Sequence, residues 1–174
     1  IADMVGISLA REVGPILAAI MLAARSGASI SAEIGTMQIR DEVSAMWVMG
    51  MNPAKFLIVP KIASLAVAVP ILSLAADVAG MFGSFLVTTL AFGVPAPVFV
   101  TRLSEAVLAG DILGGLGKSV VFGIIIGLVA CWHGFSVRGG AEEVGSSTTG
   151  AVVIGIVFII VADGVFSSLL YLFT

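Results

Sequence analysis

The chain is predicted to be an all-α polytopic membrane protein with about four crossings and one short helix held outside the bilayer. Three observations predict it. The sequence is 59% hydrophobic and only 11% charged, with a mean hydropathy of +1.20, whereas soluble domains carry about 25% charged residues. Its apolar runs are long enough for the roughly 20 residues that cross about 30 Å of hydrocarbon, and lipid leaves no partner for open backbone, which selects helices. One polar, amphipathic island, Glu33 to Gly50 (EIGTMQIRDEVSAMWVMG), interrupts those runs.

The first span is expected from about Val13 to Ile30, with a helical extension back toward Asp3. The second lies within Phe56 to Phe92, a run of about 55 Å as a straight helix. Pro60 and Pro70 let its first part bend or lie near the interface. Gly93-Val94-Pro95-Ala96-Pro97 reads as a turn. The third span is expected from Leu116 to Phe135 and the fourth from Ala151 to Phe173. With four crossings, the loops around 31–61 and 136–150 share a face. Arg25, Arg40, Lys55, Lys61 and Arg138 fall to that face, and Arg11, Arg102 and Lys118 to the other. The bias of basic residues puts the polar island in the cytoplasm.

Small residues recur every fourth position: Ala23, Gly27, Ser31 and Gly35; Ala76, Gly80 and Ser84; Gly123 and Gly127. Such rows let helices approach closely in lipid and need no chemical role.

Within the island, Ile39, Val43, Met46, Trp47 and Gly50 fall on one helical stripe. Asp41 and Glu42 occupy the first turns, where the helix dipole favours acids, and Gly50 and Pro53 end the helix. Four of the seven methionines, Met37, Met46, Met49 and Met51, cluster here. Flexible thioethers suit a surface that packs against a moving partner. An interfacial helix resting on the membrane has the same pattern.

Ionisable residues inside apolar runs point by default to function. Arg11 and Glu12 are the first such pair: either a functional site by that rule, or a structural pair that snorkels. Asp77 and Asp163 sit mid-run, as ion sites of a secondary transporter or as buried carboxyls bonded across helices. Arg25 closes the first span at the cytoplasmic side. Glu142 and Glu143 belong to a polar cytoplasmic loop.

Other signals fail. Gly117-Lys118-Ser119 imitates the end of a phosphate-binding loop, but Ile112 stands where the first glycine is required. One histidine, His133, and one cysteine, Cys131, make no metal site, and no basic patch suits nucleic acid. No cofactor and no catalytic group are expected on this chain.

REVGPILAAIMLAARSGASISAEIGTMQIRDEVSAMWVMGMNPAKFLIVPK resembles the hallmark region of MlaE-type permeases, the membrane subunits of bacterial lipid ABC transporters. The likeness continues through LSLAADVAGMFGSFLV, KSVVFGIIIGLVACWHGFSVRGGAEEVGSSTTGAVV and IVADGVFSSLLYLF, so residues 1–174 read as a single permease domain. Family members carry a further span and an interfacial helix at the N-terminus, making five spans. The chain, starting at Ile1 in a helical pattern, is expected to lack that part.

The resemblance implies a permease homodimer in the bacterial inner membrane, two cytoplasmic ATPase subunits that hydrolyse ATP, and a periplasmic ring of lipid-binding MCE domains. The cargo it implies is phospholipid, moved between inner and outer membranes to maintain lipid asymmetry. Residues Gln38–Met49 would be the coupling helix. Glu33, Arg40, Asp41 and Glu42, with Val43 and Met46, would meet the ATPase. Arg11 and Glu12 would lie at the lipid pocket, and Ile16, Ile20, Ile159 and Phe166 would wall it. The rival readings are an ion-coupled secondary transporter using Asp77 and Asp163, and a membrane scaffold.

Overall fold

The structure, a computed structural model, describes residues 2–173, with side chains described for residue 4 and residues 6–169. Among them every regular element is helical. The elements are α1 (Ala2–Ser8), α2 (Gly14–Leu22), α3 (Ala28–Ile39), α4 (Glu42–Val48), α5 (Val59–Phe92), α6 (Ala96–Ala106), α7 (Ala109–Ser136) and α8 (Ala141–Phe173). π-Helical turns at Leu9–Val13 and Ala23–Gly27 join α1, α2 and α3 into one rod, and a third at Ala54–Ile58 opens α5. Four stretches are long and apolar enough to cross a membrane: Gly6–Ile39, Ala54–Phe92, Ala109–Ser136 and Ala141–Leu169.

Two of the π turns have a covalent cause. Pro15 follows the first and Pro60 the third. Proline donates no backbone N–H and crowds the preceding turn, and the helix absorbs this by widening one turn. Pro70, inside α5, leaves that helix continuous. No proline accounts for the Ala23–Gly27 turn, which carries Arg25.

The spans begin or end well beyond the expected limits. The first continues through Glu33 to Ile39, the third starts at Ala109 and the fourth at Ala141. Polar residues at the rims hid these extensions from a reading based on apolar runs. Arg25 therefore lies within a continuous helix rather than at its end, and Lys118 stands two turns inside its helix. Ile39 and Val43 are also separated by a break, because Asp41 adopts φ 57°. The continuous stripe expected over the island is thus replaced by a rod end and a separate short helix.

α6 lies beyond the expected Gly93–Pro97 turn. Its Phe99 packs edge-on against Phe85 of α5, with centroids 5.5 Å apart.

α7 is the central helix, packed on α3, α5 and α8. The core joins all four spans through Ala19, Ala23, Leu65, Val69, Phe122, Ile126 and Ile159. The small-residue rows sit at the crossings. A Cβ on Gly123 would meet the Leu65 carbonyl oxygen at 2.5 Å, and one on Gly127 the Ile62 side chain at 2.9 Å. Ala23, Gly27, Ser31 and Gly35 are all buried, so close approach without a hydrophobic drive explains the row.

Candidate functional site

Two polar assemblies lie at opposite ends of the first rod. At the end near α6, the Leu9–Val13 turn presents Arg11 and Glu12 to different partners. Arg11 donates through Nε to Asp111 Oδ1 at 2.5 Å. Asp111 is buried and accepts the Leu108 backbone N–H on its other oxygen at 3.1 Å, so one carboxylate both starts α7 and fixes the guanidinium. Arg11 is half exposed, and among the described residues nothing bonds its terminal nitrogens. It is held by a buried acid and open on its outer face, which suits a bidentate anion such as a phosphate.

Glu12 does not hold Arg11. It turns to Lys118 of α7, whose Nζ lies 2.8 Å from Glu12 Oε1, 3.2 Å from Asp163 Oδ1 and 3.0 Å from Ser167 Oγ. Ser167 also donates to Glu12 Oε1 at 2.9 Å. Lys118 is only 2% exposed. An ammonium has three donors, and all three are engaged within the chain. Lys118 therefore ties three spans together and has no donor left for a ligand. Asp163, which has no cation near it in sequence, is bonded across helices to Lys118. Asp77 is separate. Its buried Oδ1 lies against Gly14 with no hydrogen-bond partner, and no hydrogen bond joins it to Asp163.

Sequence reasoning missed Asp111, Lys118 and Ser167. One signal was available. An acid such as Asp111 is favoured in the first turn of a helix, and a start at Ala109 puts Lys118 inside the span.

The expected wall residues divide. Ile16, Ile20 and Phe166 are half-buried. Ile159 is 0% exposed and belongs to the core, so an acyl chain does not reach it across the surface of this chain.

At the other end, α3 stops at Ile39 and α4 runs for two turns before Gly50, at φ 73°, reverses the chain. Asn52 then accepts the Ala54 N–H at 3.0 Å and opens the second span. Val43 is 7% exposed and faces the body, with Met46 half-buried beside it. Trp47 and Val48, 63% and 89% exposed, face away, as does Met49. Arg40, Asp41 and Glu42 are exposed, with Arg40 and Glu42 4.0 Å apart. Glu33, expected to meet a partner, accepts from Lys61 at 2.5 Å. This pair clamps the first span to the second across the base of the loop that carries α4.

This arrangement has two chemically different ends. It offers an anchored cation at one rim and an apolar tip at the other.

The family profile described as Permease MlaE matches residues 1–169. A probable ABC transporter permease protein of Rickettsia typhi is 36% identical over 98% of this chain and 66% of its own length. One from Synechocystis is 32% identical over 98% of the chain and 65% of its own length. The chloroplastic protein trigalactosyldiacylglycerol 1 of Arabidopsis thaliana is 34% identical over 98% of the chain and 49% of its own length. The chain thus spans about two thirds of the length of the bacterial relatives it matches. Its all-helical fold with four membrane-capable spans and its near end-to-end match to that profile agree, and the chain belongs to the MlaE permease family.

Proposed function

We propose that this chain is the transmembrane part of an ABC lipid permease that moves phospholipid, driven by ATP hydrolysis on a separate cytoplasmic ATPase dimer. The observation that carries the cargo reading is Arg11. Its guanidinium is anchored by buried Asp111 and open toward the outer rim, which fits one phosphate diester. Two copies of the chain form the working permease in a bacterial cytoplasmic membrane, and a periplasmic MCE-domain ring exchanges lipid with it. Arg11 takes the headgroup, Glu12 stays beside it in the bond to Lys118 and Ser167, and Ile16, Ile20 and Phe166 line the acyl path. The Arabidopsis relative is named for a galactolipid, which supports a lipid cargo in general.

Coupling runs through α4. Trp47, Val48 and Met49 supply the apolar contact with the ATPase and Arg40, Asp41 and Glu42 its charged rim, while Val43 and Met46 seat the helix on the body. Glu33 acts through Lys61, as a strut behind the contact.

The test uses the full transporter in vesicles. Arg11→Gln is expected to lower phospholipid transfer to acceptor vesicles about tenfold, the scale of one lost charge-assisted bond, with the ATPase still attached. Trp47→Asp is expected to release the ATPase while bound lipid stays. Unchanged transfer and an attached ATPase in both variants would remove this reading.

One observation favours the ion-coupled alternative: Lys118 faces two acids, Glu12 and Asp163, so one carboxylate has no cation of its own. That reading requires transport to follow an imposed ion gradient without ATP, and to stop in Asp163→Asn.

A further inference from the structure

Arg25 is the remaining charge inside the first span. At a rise of 1.5 Å per residue it stands about 21 Å from Ile39 and about 28 Å from Gly6, the ends of that span. It is about 12 Å along the helix from Glu33, which bonds Lys61 of the second span. Gly27, two residues on, packs against Ile126, in the body of α7 rather than at its end. Arg25 is thus far from both ends of this apolar helix, and in hydrocarbon a guanidinium without a counter-charge is costly.

The other basic residues are either paired or near an end. Arg11, Arg40, Lys61 and Lys118 each have an acid partner, while Lys55, Arg102 and Arg138 lie outside the spans or in the first turn of one. Among the described residues Arg25 has neither an acid nor a hydrogen-bond partner, and it is exposed. It sits on a stripe of exposed positions, Val13, Leu17, Met21, Arg25, Ser29 and Glu33, at four-residue spacing. Ser29, one turn below on the same face, is also without a hydrogen bond among the described residues. Most helical hydroxyls here bond back to their own helix, as in Ser64, Ser84, Ser119, Thr148 and Ser168.

The backbone adds an independent observation. Arg25 is the middle residue of the π turn that no proline explains, and such turns mark functional positions in helices.

We infer that Arg25 and Ser29 form a phosphate-binding station within the membrane, distinct from Arg11 at the outer rim, where a lipid headgroup pauses on its way across. The inference rests on the phospholipid reading above and adds a second site to it. The ligand is a phosphate group on a lipid, held by the guanidinium with the Ser29 hydroxyl as a second donor.

The experiment measures phospholipid stimulation of ATP hydrolysis by the full transporter, with phosphatidylglycerol, diacylglycerol and inorganic phosphate as separate probes. Arg25→Gln is expected to raise the phosphatidylglycerol concentration for half-stimulation about tenfold. Arg25→Lys should recover part of that and Ser29→Ala lose a smaller part, with basal hydrolysis unchanged. Diacylglycerol, which has no phosphate, should not distinguish wild type from Arg25→Gln, and inorganic phosphate should not replace the lipid. Unchanged half-stimulation in Arg25→Gln overturns the station while leaving a lipid-stimulated wild type intact. Separation of Arg25→Gln into single permease copies also overturns it, since Arg25 would then be pairing with a second copy. Competition by inorganic phosphate alone would overturn a lipid-borne ligand. Should Arg25→Gln fail to assemble, Arg25→Lys and Ser29→Ala decide by the same readout. A wild type that no phospholipid stimulates sinks the phospholipid reading itself, a separate result.

Discussion

Lys118 shows how one side chain changes meaning once its donors are counted. In the sequence it is a stray base near a span end and part of a failed phosphate-loop pattern. In the fold its ammonium meets Glu12, Asp163 and Ser167, from the first and fourth spans. Removing the cation leaves two acids against each other, and breaking a buried ionic set in this way costs about 3–5 kcal/mol. Lys118→Met is therefore expected to lower the thermal unfolding midpoint of the detergent-solubilised transporter sharply. Ser167→Ala, which removes one hydroxyl, should cost about 1 kcal/mol. Equal midpoints for Lys118→Met and wild type would mean that the network does not hold the spans. None of these pairings was legible in the chain, because their partners are separated by 106 and 45 residues. The charges themselves were legible: Arg11, Glu12 and Asp163 stand out against apolar neighbours by the cost of placing charge in lipid.

Among the elements, helix contacts were more legible than helix ends. The four-residue rows of small side chains mark where helices touch, since only small groups let backbones meet in lipid. Gly123 is the sharpest case: the three atoms nearest its missing Cβ are all backbone, from Leu65 and Ala66, and none can swing aside. Gly123→Ala is thus expected to destabilise by about 1–3 kcal/mol, as overpacked cores do, read as a lower midpoint in the same melt. Gly164→Ala is the control, since nothing lies within 4 Å of its Cβ position. A matched loss in both would assign the effect to the helix rather than to the α5–α7 crossing. The ends were harder to read. Ser31, Glu33, Glu142 and Glu143 are helical although polar, because a helix continues past the hydrocarbon wherever its backbone bonds remain satisfied. The break at Asp41 was hidden as well, since a left-handed residue in mid-pattern does not alter hydrophobic spacing.

At the scale of the whole molecule, hydropathy sets the number of crossings but not which end faces the cytoplasm. With the observed boundaries, Arg40, Lys55, Lys61 and Arg138 lie at the end that carries α4, against Arg11 and Arg102 at the other. Basic residues are retained on the cytoplasmic side, so α4 is expected to face the cytoplasm and α6 the outside. Cysteine accessibility tests this directly. The native Cys131 is buried and gives a low background, while Ser44 on α4, Gly140 between the third and fourth spans and Thr101 on α6 are all exposed. A membrane-impermeant thiol reagent added outside intact cells is expected to label Thr101→Cys alone. Ser44→Cys and Gly140→Cys should react only after the membrane is opened. The pair is informative together: both belong to one end of the bundle in a four-span fold, so labelling of one without the other would contradict the number of crossings. Labelling of both from outside would keep the fold and invert it. The exposed Trp47 and Val48 would then face away from any cytoplasmic ATPase, and Arg11 would lie at the inner rim. The coupling and cargo readings depend on the same orientation, and this one measurement can remove both while leaving every contact within the chain in place.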